Sequence, residues 1–154
     1  VLVVGEGPAR DWFEKRLPNA IFVGFQRGGD VGRAIASMDM LFNPSMTETF
    51  GNVTLEAMAV GIPVVAAIAT GSQSLVDDGR TGRLIRGGAI NAYADALAFY
   101  CTDAEARRAA GAAGEAASGR YGWDEVNEAL IDSYLRIIRQ RASGGRMPGS
   151  SPVP

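Results

Sequence analysis

The sequence predicts an α/β fold in which a parallel β-sheet carries helices on both faces. Short apolar runs at residues 1–4, 20–24, 40–43 and 63–67 alternate with segments of helical character, the pattern of a wound parallel sheet. Twenty glycines suit the tight turns between such elements. Of the 154 residues, 47% are hydrophobic, so the chain can build one domain with its own core.

The first predicted strand is the apolar run Val1–Val4, which ends in the turn Gly5-Glu6-Gly7-Pro8. A glycine turn followed by proline is typical of a buried strand that passes directly into a helix. The predicted apolar stripe of that helix consists of Trp12, Phe13 and Leu17.

The second predicted strand covers residues 20–24, and the loop at its carboxyl end begins with Phe25 and Gln26. Asp30 is a suitable N-cap for a short helix that ends near Ser37, because its side chain can accept from the first free N–H groups.

Residues 40–43, 63–67 and 82–85 are the third, fourth and fifth predicted strands. A central helix of about residues 51–60 connects the third strand to the fourth. The residues of this helix that are expected to pack against the sheet are Val53, Leu55, Met58 and Ala59.

The carboxyl-terminal part is rich in alanine and predicts three helices, at about 89–101, 103–117 and 124–141. Spacings of three and four give the last helix an apolar stripe: Trp123, Val126, Leu130, Tyr134, Ile137 and Ile138. This helix can be an ordinary core helix or one that contacts another domain or copy. Residues 142–154 lack periodicity and are predicted to be a disordered tail, so residues 1–141 form the folded domain.

Composition argues against several functional classes. The formal net charge of −2, with both signs scattered, provides no basic surface for nucleic acid. Without any histidine, the chain cannot itself supply a Ser-His-Asp relay or a histidine-ligated metal. No apolar run approaches the roughly 18 residues of a membrane-spanning helix. The single cysteine, Cys101, indicates a reducing, cytoplasmic location and is expected to be a small buried hydrophobe.

The candidate site lies in the segment Asn43–Gly71, because wound sheets bind ligands at the carboxyl ends of their strands. Gly51 and Asn52 open the central helix, whose unpaired N–H groups suit an anion such as phosphate. Glu48 lies in the turn before this helix, and Glu56 lies one turn into it on the same face as Asn52. Both carboxylates can accept hydrogen bonds from sugar hydroxyls.

This segment resembles the nucleotide-sugar site of the retaining glycosyltransferases of family 4, the group 1 transferases. Their E-x7-E signature corresponds to Glu48 and Glu56, and the motif G-[LI]-P-V-V-A that follows corresponds to Gly61–Ala66. Asp77–Gly82 matches the [ED]-D-G-x-T-G turn of the family. The resemblance covers about residues 1–140, and the combination of motifs is specific where E-x7-E alone is not.

The resemblance implies the carboxyl-terminal, donor-binding half of a two-domain GT-B enzyme with a Rossmann-like fold. The full enzyme would transfer a hexose from a nucleotide diphosphate sugar to an acceptor hydroxyl with retention of configuration. It would need no metal and no cofactor, since the nucleotide sugar is a substrate. The acceptor-binding amino-terminal domain and the first strand of the donor half would then lie outside this chain, and any peripheral membrane contact would be made through that domain.

By the same resemblance, Glu48 is the catalytic candidate, because its family counterpart stabilises positive charge at the anomeric carbon. Glu56 would accept hydrogen bonds from the ribose hydroxyls of the donor. Backbone amides of the loop would meet the sugar or the pyrophosphate, and the loop after the second strand would contact the base. The remaining donor-binding candidates are Thr49, Phe50, Gly51, Asn52, Gly5, Gly7, Phe25, Gln26 and Gly71.

The chain departs from the family in two respects. Relatives commonly have Gly-Gly and then Pro-Glu where this chain has Thr70-Gly71 and Gln73-Ser74, so serine replaces a frequent acid. The arginine and lysine that neutralise the pyrophosphate precede Val1 in the family. Three arginines of this chain do not occupy their places: Arg27, Arg80 and Arg83. The isolated chain is therefore expected to bind nucleotide weakly and to transfer nothing.

Structural explanations remain open for the same residues. Glu56 can be an ordinary solvated helix charge, and Glu48 can be a turn acid. Gly5 and Gly7 can serve only a turn, because a lone G-x-G is weak evidence of a binding site. The Phe25 side chain can equally belong to the core. The Phe50 side chain is expected to anchor the turn as a core aromatic while its N–H serves the ligand.

Two other functional classes remain open. The chain can be a nucleotide-binding module without a transferase role, but this leaves the pair Glu48 and Glu56 unexplained. It can also belong to a sugar-nucleotide epimerase of the same architecture, which would need its own acid–base groups. Binding that is insensitive to Glu56→Ala would favour the module, and isomerised free sugar would favour the epimerase.

Overall fold

The computed structural model of the protein describes residues 1–142. The chain divides into two compact units, residues 1–118 and the residues from Gly119 onward. The predicted folded domain, residues 1–141, lies within the described residues, and the last helix is described to Ala142. The rest of the predicted tail lies outside the described residues.

Strands and helices alternate along the first unit, as predicted for an α/β fold. The strands are β1 (Leu2–Val3), β2 (Ile21–Phe22), β3 (Leu41–Asn43), β4 (Val64–Ala67) and β5 (Gly82–Ile85). The helices are α1 (Arg10–Arg16), α2 (Gly29–Ala36), α3 (Asn52–Ala59), α4 (Thr70–Leu75), α5 (Ile90–Thr102) and α6 (Ala104–Ser118). The short helix α4 is the one element of this unit that the sequence did not predict.

All strand pairs are parallel, but the described strands form two sheets. β1 pairs with β2, and Leu2 lies opposite Ile21. β4 lies between β3 and β5, with Val64 opposite both Leu41 and Gly82. Within residues 1–142, no ladder joins β1 to β3. The described strands therefore belong to two separate ladders.

The core is built around β4, whose four residues are all buried. Successive side chains of a strand point to opposite faces, so burial of all four means that both faces are covered. On one face, Val65 and Ala67 pack with residues of α5. Helices α3 and α6 pack against each other. A Cβ at Gly111 of α6 would lie 2.0 Å from the carbonyl oxygen of Gly61, so only glycine fits this contact.

Helix α3 buries a different set of positions from the predicted one. Met58 is fully buried as expected, but Ala59 is exposed. The buried positions are Thr54, Ala57 and Met58, which are spaced by three and one along the helix and lie on one side of it. Val53 and Leu55 are only partly buried.

Two further packing expectations are corrected by the structure. Cys101 is exposed rather than buried. The buried face of α5 is formed by Tyr93, Ala96 and Tyr100, and Cys101 is turned away by one residue, about 100° around the helix axis. In the predicted stripe of α1, Trp12 is 52% exposed and only Leu17 is mostly covered.

The second unit consists of a 3₁₀ turn, Gly119–Tyr121, and helix α7, Trp123–Ala142. The predicted helix is confirmed. Within this unit its apolar stripe is exposed: Trp123, Val126, Leu130, Tyr134, Ile137 and Ile138. The unit does not bury the stripe by itself, and the choice between a core helix and one that contacts another domain stays open. Among the described helices none has the length and apolar character needed to cross a membrane.

Candidate functional site

The loop that contains Glu48 lies at the carboxyl edge of the three-stranded sheet. Asn43, the last residue of β3, lies opposite Ala66 of β4. Residues 44–51 leave β3 at this edge, and α4 follows β4 at the same edge. The structure therefore places this loop beside α4, where wound sheets bind their ligands.

Two polar side chains fix the end of β3 relative to α3. The backbone N–H of Ser45 donates to Oδ1 of Asn43 at 3.2 Å, and Nδ2 of Asn43 donates to Oγ1 of Thr54 at 3.5 Å. Thr54 is fully buried in the first turn of α3. These contacts orient the helix start, a role that the sequence analysis did not assign to either residue. The sequence feature that indicates this role is an asparagine at the end of a strand, directly before Pro44, because asparagine often bonds the backbone at turns.

The amino end of α3 begins at a buried glycine. Its N-cap is Gly51, which has φ +96° and provides no side-chain cap. This left-handed conformation favours glycine, because a Cβ would be strained there. The N–H of Leu55 makes the first helical bond, to the carbonyl of Gly51. The preceding amides of α3 have no intrahelical acceptor and carry the positive end of the helix dipole.

The two acids of the predicted pair lie at this helix end. Glu48 is partly buried, and its Cγ is 3.6 Å from the place that a Cβ on Gly51 would occupy. Glu56 is exposed one turn into α3. Across residues 1–142, neither side-chain carboxylate has an ion-pair or hydrogen-bond partner. Both are therefore available to accept hydrogen bonds from a ligand.

The other predicted residues of this loop differ in exposure. Thr49 and Asn52 are exposed, and Phe50 is 44% exposed. Gly71 is buried, and its N–H donates to the backbone carbonyl of Glu48 at 3.0 Å. The structure thus brings Gly71 to the loop, with its amide hydrogen already used.

A second group of predicted residues lies at the carboxyl ends of β1 and β2. The N–H of Gly5, which has φ +122°, donates to the carbonyl of Gly24 at 2.8 Å and joins the two turns. Gly7 is exposed. Phe25 is 62% exposed, so it is not a core aromatic. The side-chain amide of Gln26 donates to the carbonyl of Val23. The group is tied together, but no strand pairing in the described part of the chain connects it to the loop of Glu48.

The turn Asp77–Gly82 lies at the opposite end of the sheet. It precedes β5 and is held by Thr81, which is fully buried and accepts from the N–H of Asp77 at 2.9 Å. Arg80 pairs with Asp77, and Arg83 pairs with Asp78. Both arginines are therefore engaged at the amino end of β5 rather than at the candidate site, and this turn has a structural role.

Titration and metal chemistry give no second site among the described residues. Burial raises the pKa of the Tyr93 and Tyr100 phenols above 10.0; Asp78 also raises that of Tyr100, while Arg83 opposes the shift. Both tyrosines belong to the buried face of α5. Within residues 1–142, no group of three or more acidic or cysteine side chains is placed to hold a metal ion.

The fold and the site define an α/β domain with a helix start that has no side-chain cap and two free carboxylates beside it. The chain belongs to the glycosyl transferases group 1 family, whose family model matches residues 1–103. Its fold is the Rossmann-like one of the GT-B enzymes.

Three relatives illustrate this membership. The D-inositol 3-phosphate glycosyltransferase of Stackebrandtia nassauensis is 42% identical over 126 residues, which are 80% of this chain and 28% of that protein. The GDP-mannose-dependent alpha-mannosyltransferase of Mycolicibacterium smegmatis is 36% identical over 144 residues, 92% of this chain and 37% of that protein. The crystal structure of Anabaena Alr3699/HepE in complex with UDP matches with a TM-score of 0.77 and 27% identity, over 88% of this chain and 40% of that one. The chain thus spans well under half of the length of each relative.

Proposed function

We propose that this chain is the donor-binding, carboxyl-terminal half of a retaining glycosyltransferase. The full enzyme would transfer a hexose from a nucleotide diphosphate sugar to an acceptor hydroxyl. The observation that carries the proposal is the uncapped amino end of α3 with Glu48 and Glu56 beside it, both without partners among residues 1–142. Family membership favours this function over a non-catalytic nucleotide-binding module and over an epimerase.

The amino end of α3 would bind the pyrophosphate of the donor. Its free N–H groups and the helix dipole stabilise negative charge, and this stabilisation matters most when the nucleotide diphosphate leaves. Gly51 would contribute through its left-handed backbone turn into α3, because the place of a missing Cβ is already lined by Leu75 and Thr54. We propose no metal and no cofactor for this step. The further positive charge would come from the arginine and lysine that the family carries upstream of Val1.

The two acids would take different parts of the donor. Glu48, in the loop next to the helix start, would hydrogen-bond the transferred sugar and stabilise positive charge as it develops at the anomeric carbon. Glu56, exposed one turn further along α3, would accept hydrogen bonds from both ribose hydroxyls, since one carboxylate can accept several. This division of roles keeps the sugar at the loop and the nucleoside along the helix.

The turns after β1 and β2 would contact the nucleoside base. Phe25 is exposed, with the guanidinium of Arg27 5.1 Å from its ring centroid, and would pack against the base; Gln26 follows it in the loop. Gly5 and Gly7 would allow the backbone to pass close to the pyrophosphate. One relative depends on GDP-mannose and another was crystallised with UDP, so both nucleotides are candidates for this chain.

We propose that a strand from outside this chain completes the sheet. In wound dinucleotide-binding folds the usual strand order is 3-2-1-4-5-6. In the proposed order, β2 and β1 take the places of strands 3 and 2, β3, β4 and β5 take those of strands 4, 5 and 6, and strand 1 comes from outside this chain. A strand and a crossover helix that precede Val1 would fill that place. The acceptor domain would precede them, and the predicted cytoplasmic location and membrane contact stay predictions.

Ligand-observed NMR with UDP, GDP and ADP tests the proposed donor site. We expect one of these nucleotides to bind weakly, with ribose protons that contact the protein, and we expect the contacts to be lost in Glu56→Ala. Glu105→Ala is the matched control, because Glu105 is also an exposed helix glutamate without a side-chain partner among the described residues. Binding that Glu56→Ala leaves unchanged would refute the assignment, and turnover by the 154-residue chain alone would refute its expected inactivity.

A further inference from the structure

The loop Glu48–Gly51 rests on helix α4. The family resemblance predicts that Gly71, in the first turn of α4, binds the donor. The structure shows a different set of contacts for this residue. Its N–H donates to the backbone carbonyl of Glu48 at 3.0 Å, and the residue is buried. An amide that is already bonded within the protein has no hydrogen left to donate to a ligand.

The lack of a side chain at Gly71 is required by the backbone of Phe50. A Cβ at Gly71 would lie 2.5 Å from the carbonyl carbon of Phe50, 2.6 Å from its oxygen and 2.8 Å from its nitrogen. All three contacts are with backbone atoms, so no side-chain rotation can relieve them. Any larger residue at position 71 must therefore displace the backbone of Phe50, which lies in the loop between Glu48 and Gly51.

The other end of α4 supports the other end of the loop. Leu75 is 2% exposed, and its Cδ1 would lie 3.1 Å from a Cβ at Gly51. Helix α4 itself is fixed by two serines. Oγ of Ser72, which is 1% exposed, accepts from the N–H of Ala69 at 3.0 Å. Oγ of Ser74 donates to the carbonyl of Gly71 at 2.7 Å. Helix α4 therefore contacts the loop at both of its ends, Glu48 and Gly51.

We propose that Gly71 is a positioning residue that sets the geometry of the loop Glu48–Gly51, rather than a residue that binds the donor. This inference rests on the proposed function, since the loop presents Glu48 and the start of α3 to the nucleotide sugar. The packing of Gly71 against the loop affects both Glu48 and the start of α3. It holds the carbonyl of Glu48 and fixes the peptide of Phe50, which leads directly into the N-cap Gly51.

The variant Gly71→Ala tests the inference. We expect it to shift the backbone amide resonances of residues 48–51 and to weaken binding of UDP or GDP by at least about tenfold, because small misplacements of binding groups are costly. Gly114→Ala is the mild control, since its Cβ would be 3.6 Å from the nearest atom and is accommodated. Gly111→Ala is the severe control: its Cβ would clash with the carbonyl of Gly61, away from the loop. It should lower stability and leave the affinity of the folded fraction unchanged.

Hydrogen exchange in the unmodified chain provides a second test that needs no variant and no ligand. The amide proton of Gly71 should exchange slowly, as expected for a buried donor bonded to the carbonyl of Glu48. Fast exchange would overturn the inference even if Gly71→Ala failed to fold. Unchanged loop resonances together with unchanged affinity in Gly71→Ala would overturn it as well. Failure of the unmodified chain to bind UDP and GDP, with the loop effects present, would instead count against the proposed function.

Discussion

Asn43 and Thr54 connect the end of β3 to the first turn of α3, with Nδ2 of Asn43 donating to Oγ1 of Thr54 at 3.5 Å. The two residues flank the loop that contains Glu48. Thr54 is fully buried, and the partly buried Asn43 also accepts from the N–H of Ser45. The contact therefore closes the base of the loop, and it fixes the direction of α3 relative to the sheet.

The first prediction concerns this contact. Thr54→Val keeps the shape of the side chain and removes the hydroxyl, so the amide of Asn43 loses its acceptor. We expect the free energy of unfolding to fall by about 1 kcal/mol, the usual net value of one hydrogen bond. Urea denaturation measures the change. The matched control is Thr102→Val, because Thr102 is exposed and bonds only within α5. Equal effects of the two substitutions would contradict the role given to Thr54.

The second prediction separates stability from binding at the two acids. Neither carboxylate has a partner among residues 1–142, so Glu48→Gln and Glu56→Gln should each change the unfolding free energy by less than about 0.5 kcal/mol. A hydrogen bond to a charged group contributes about 1.5–3 kcal/mol, so Glu56→Gln should weaken nucleotide binding about tenfold or more. Denaturation and NMR titration of the same samples measure both quantities.

Deoxynucleotides identify the group that Glu56 binds. If Glu56 accepts from the ribose hydroxyls, the unmodified chain should bind a ribonucleotide more tightly than its 2′-deoxy form. The difference should largely disappear in Glu56→Gln, because the two changes remove the same interaction. Additive losses would show that Glu56 and the 2′-hydroxyl act independently, and they would contradict the proposed ribose contact.

The sequence predicted the elements whose signals are local. The strands β3, β4 and β5 are apolar runs bounded by turn residues, and the start of α3 is marked by Gly51 and Asn52. The parallel class and the place of Glu48 at the carboxyl edge followed from this alternation. The motif resemblance, rather than the spacing alone, identified the family to which the chain belongs.

The missed features leave little trace in the apolar pattern of the sequence. Helix α4 has the sequence TGSQSL, which lacks apolar periodicity, and it is held by Ser72 bonding to the backbone of the preceding turn. The steric requirement at Gly71 arises from Phe50, which is 21 positions earlier in the chain. The exposure of Cys101 was missed because the alanine-rich helix α5 gives little indication of which face is buried. The contact between Gly71 and Phe50 in particular cannot be predicted from the residues next to either of them.

The third prediction concerns stability at high pH. Burial raises the pKa of Tyr100 in the folded protein above its ordinary value of 10.0. As the pH rises past 10, the unfolded chain loses this proton first and is stabilised, so the free energy of unfolding falls. The contribution is complete below pH 10 and is lost as the pH rises through the folded pKa. Tyr100→Phe should reduce the slope of stability against pH above 10, whereas the exposed control Tyr134→Phe should not. Equal slopes in the two variants would contradict the assignment.

The fourth prediction concerns β3, the outer strand of the sheet β3-β4-β5 in the described part of the chain. Alternation along a parallel strand places the N–H of Leu41 on β4, through its bond to Pro63, and directs the N–H of Phe42 to the opposite edge. Phe42 is 45% exposed although it belongs to an apolar strand. We expect a chain extended upstream of Val1 by the proposed strand and helix to show slower hydrogen exchange at Phe42, a higher unfolding free energy and stronger nucleotide binding.

The control for this prediction is an extension of equal length in which proline replaces the central residue of the added strand. Proline lacks the N–H that the ladder requires, so the added strand should fail to pair while its other residues remain. If pairing completes the sheet, Phe42 should be protected only in the extension without this proline. Protection in both extensions would point to non-specific coverage of the open edge. If Phe42 is protected in neither extension, the added strand does not pair with β3, and the proposed strand order is wrong.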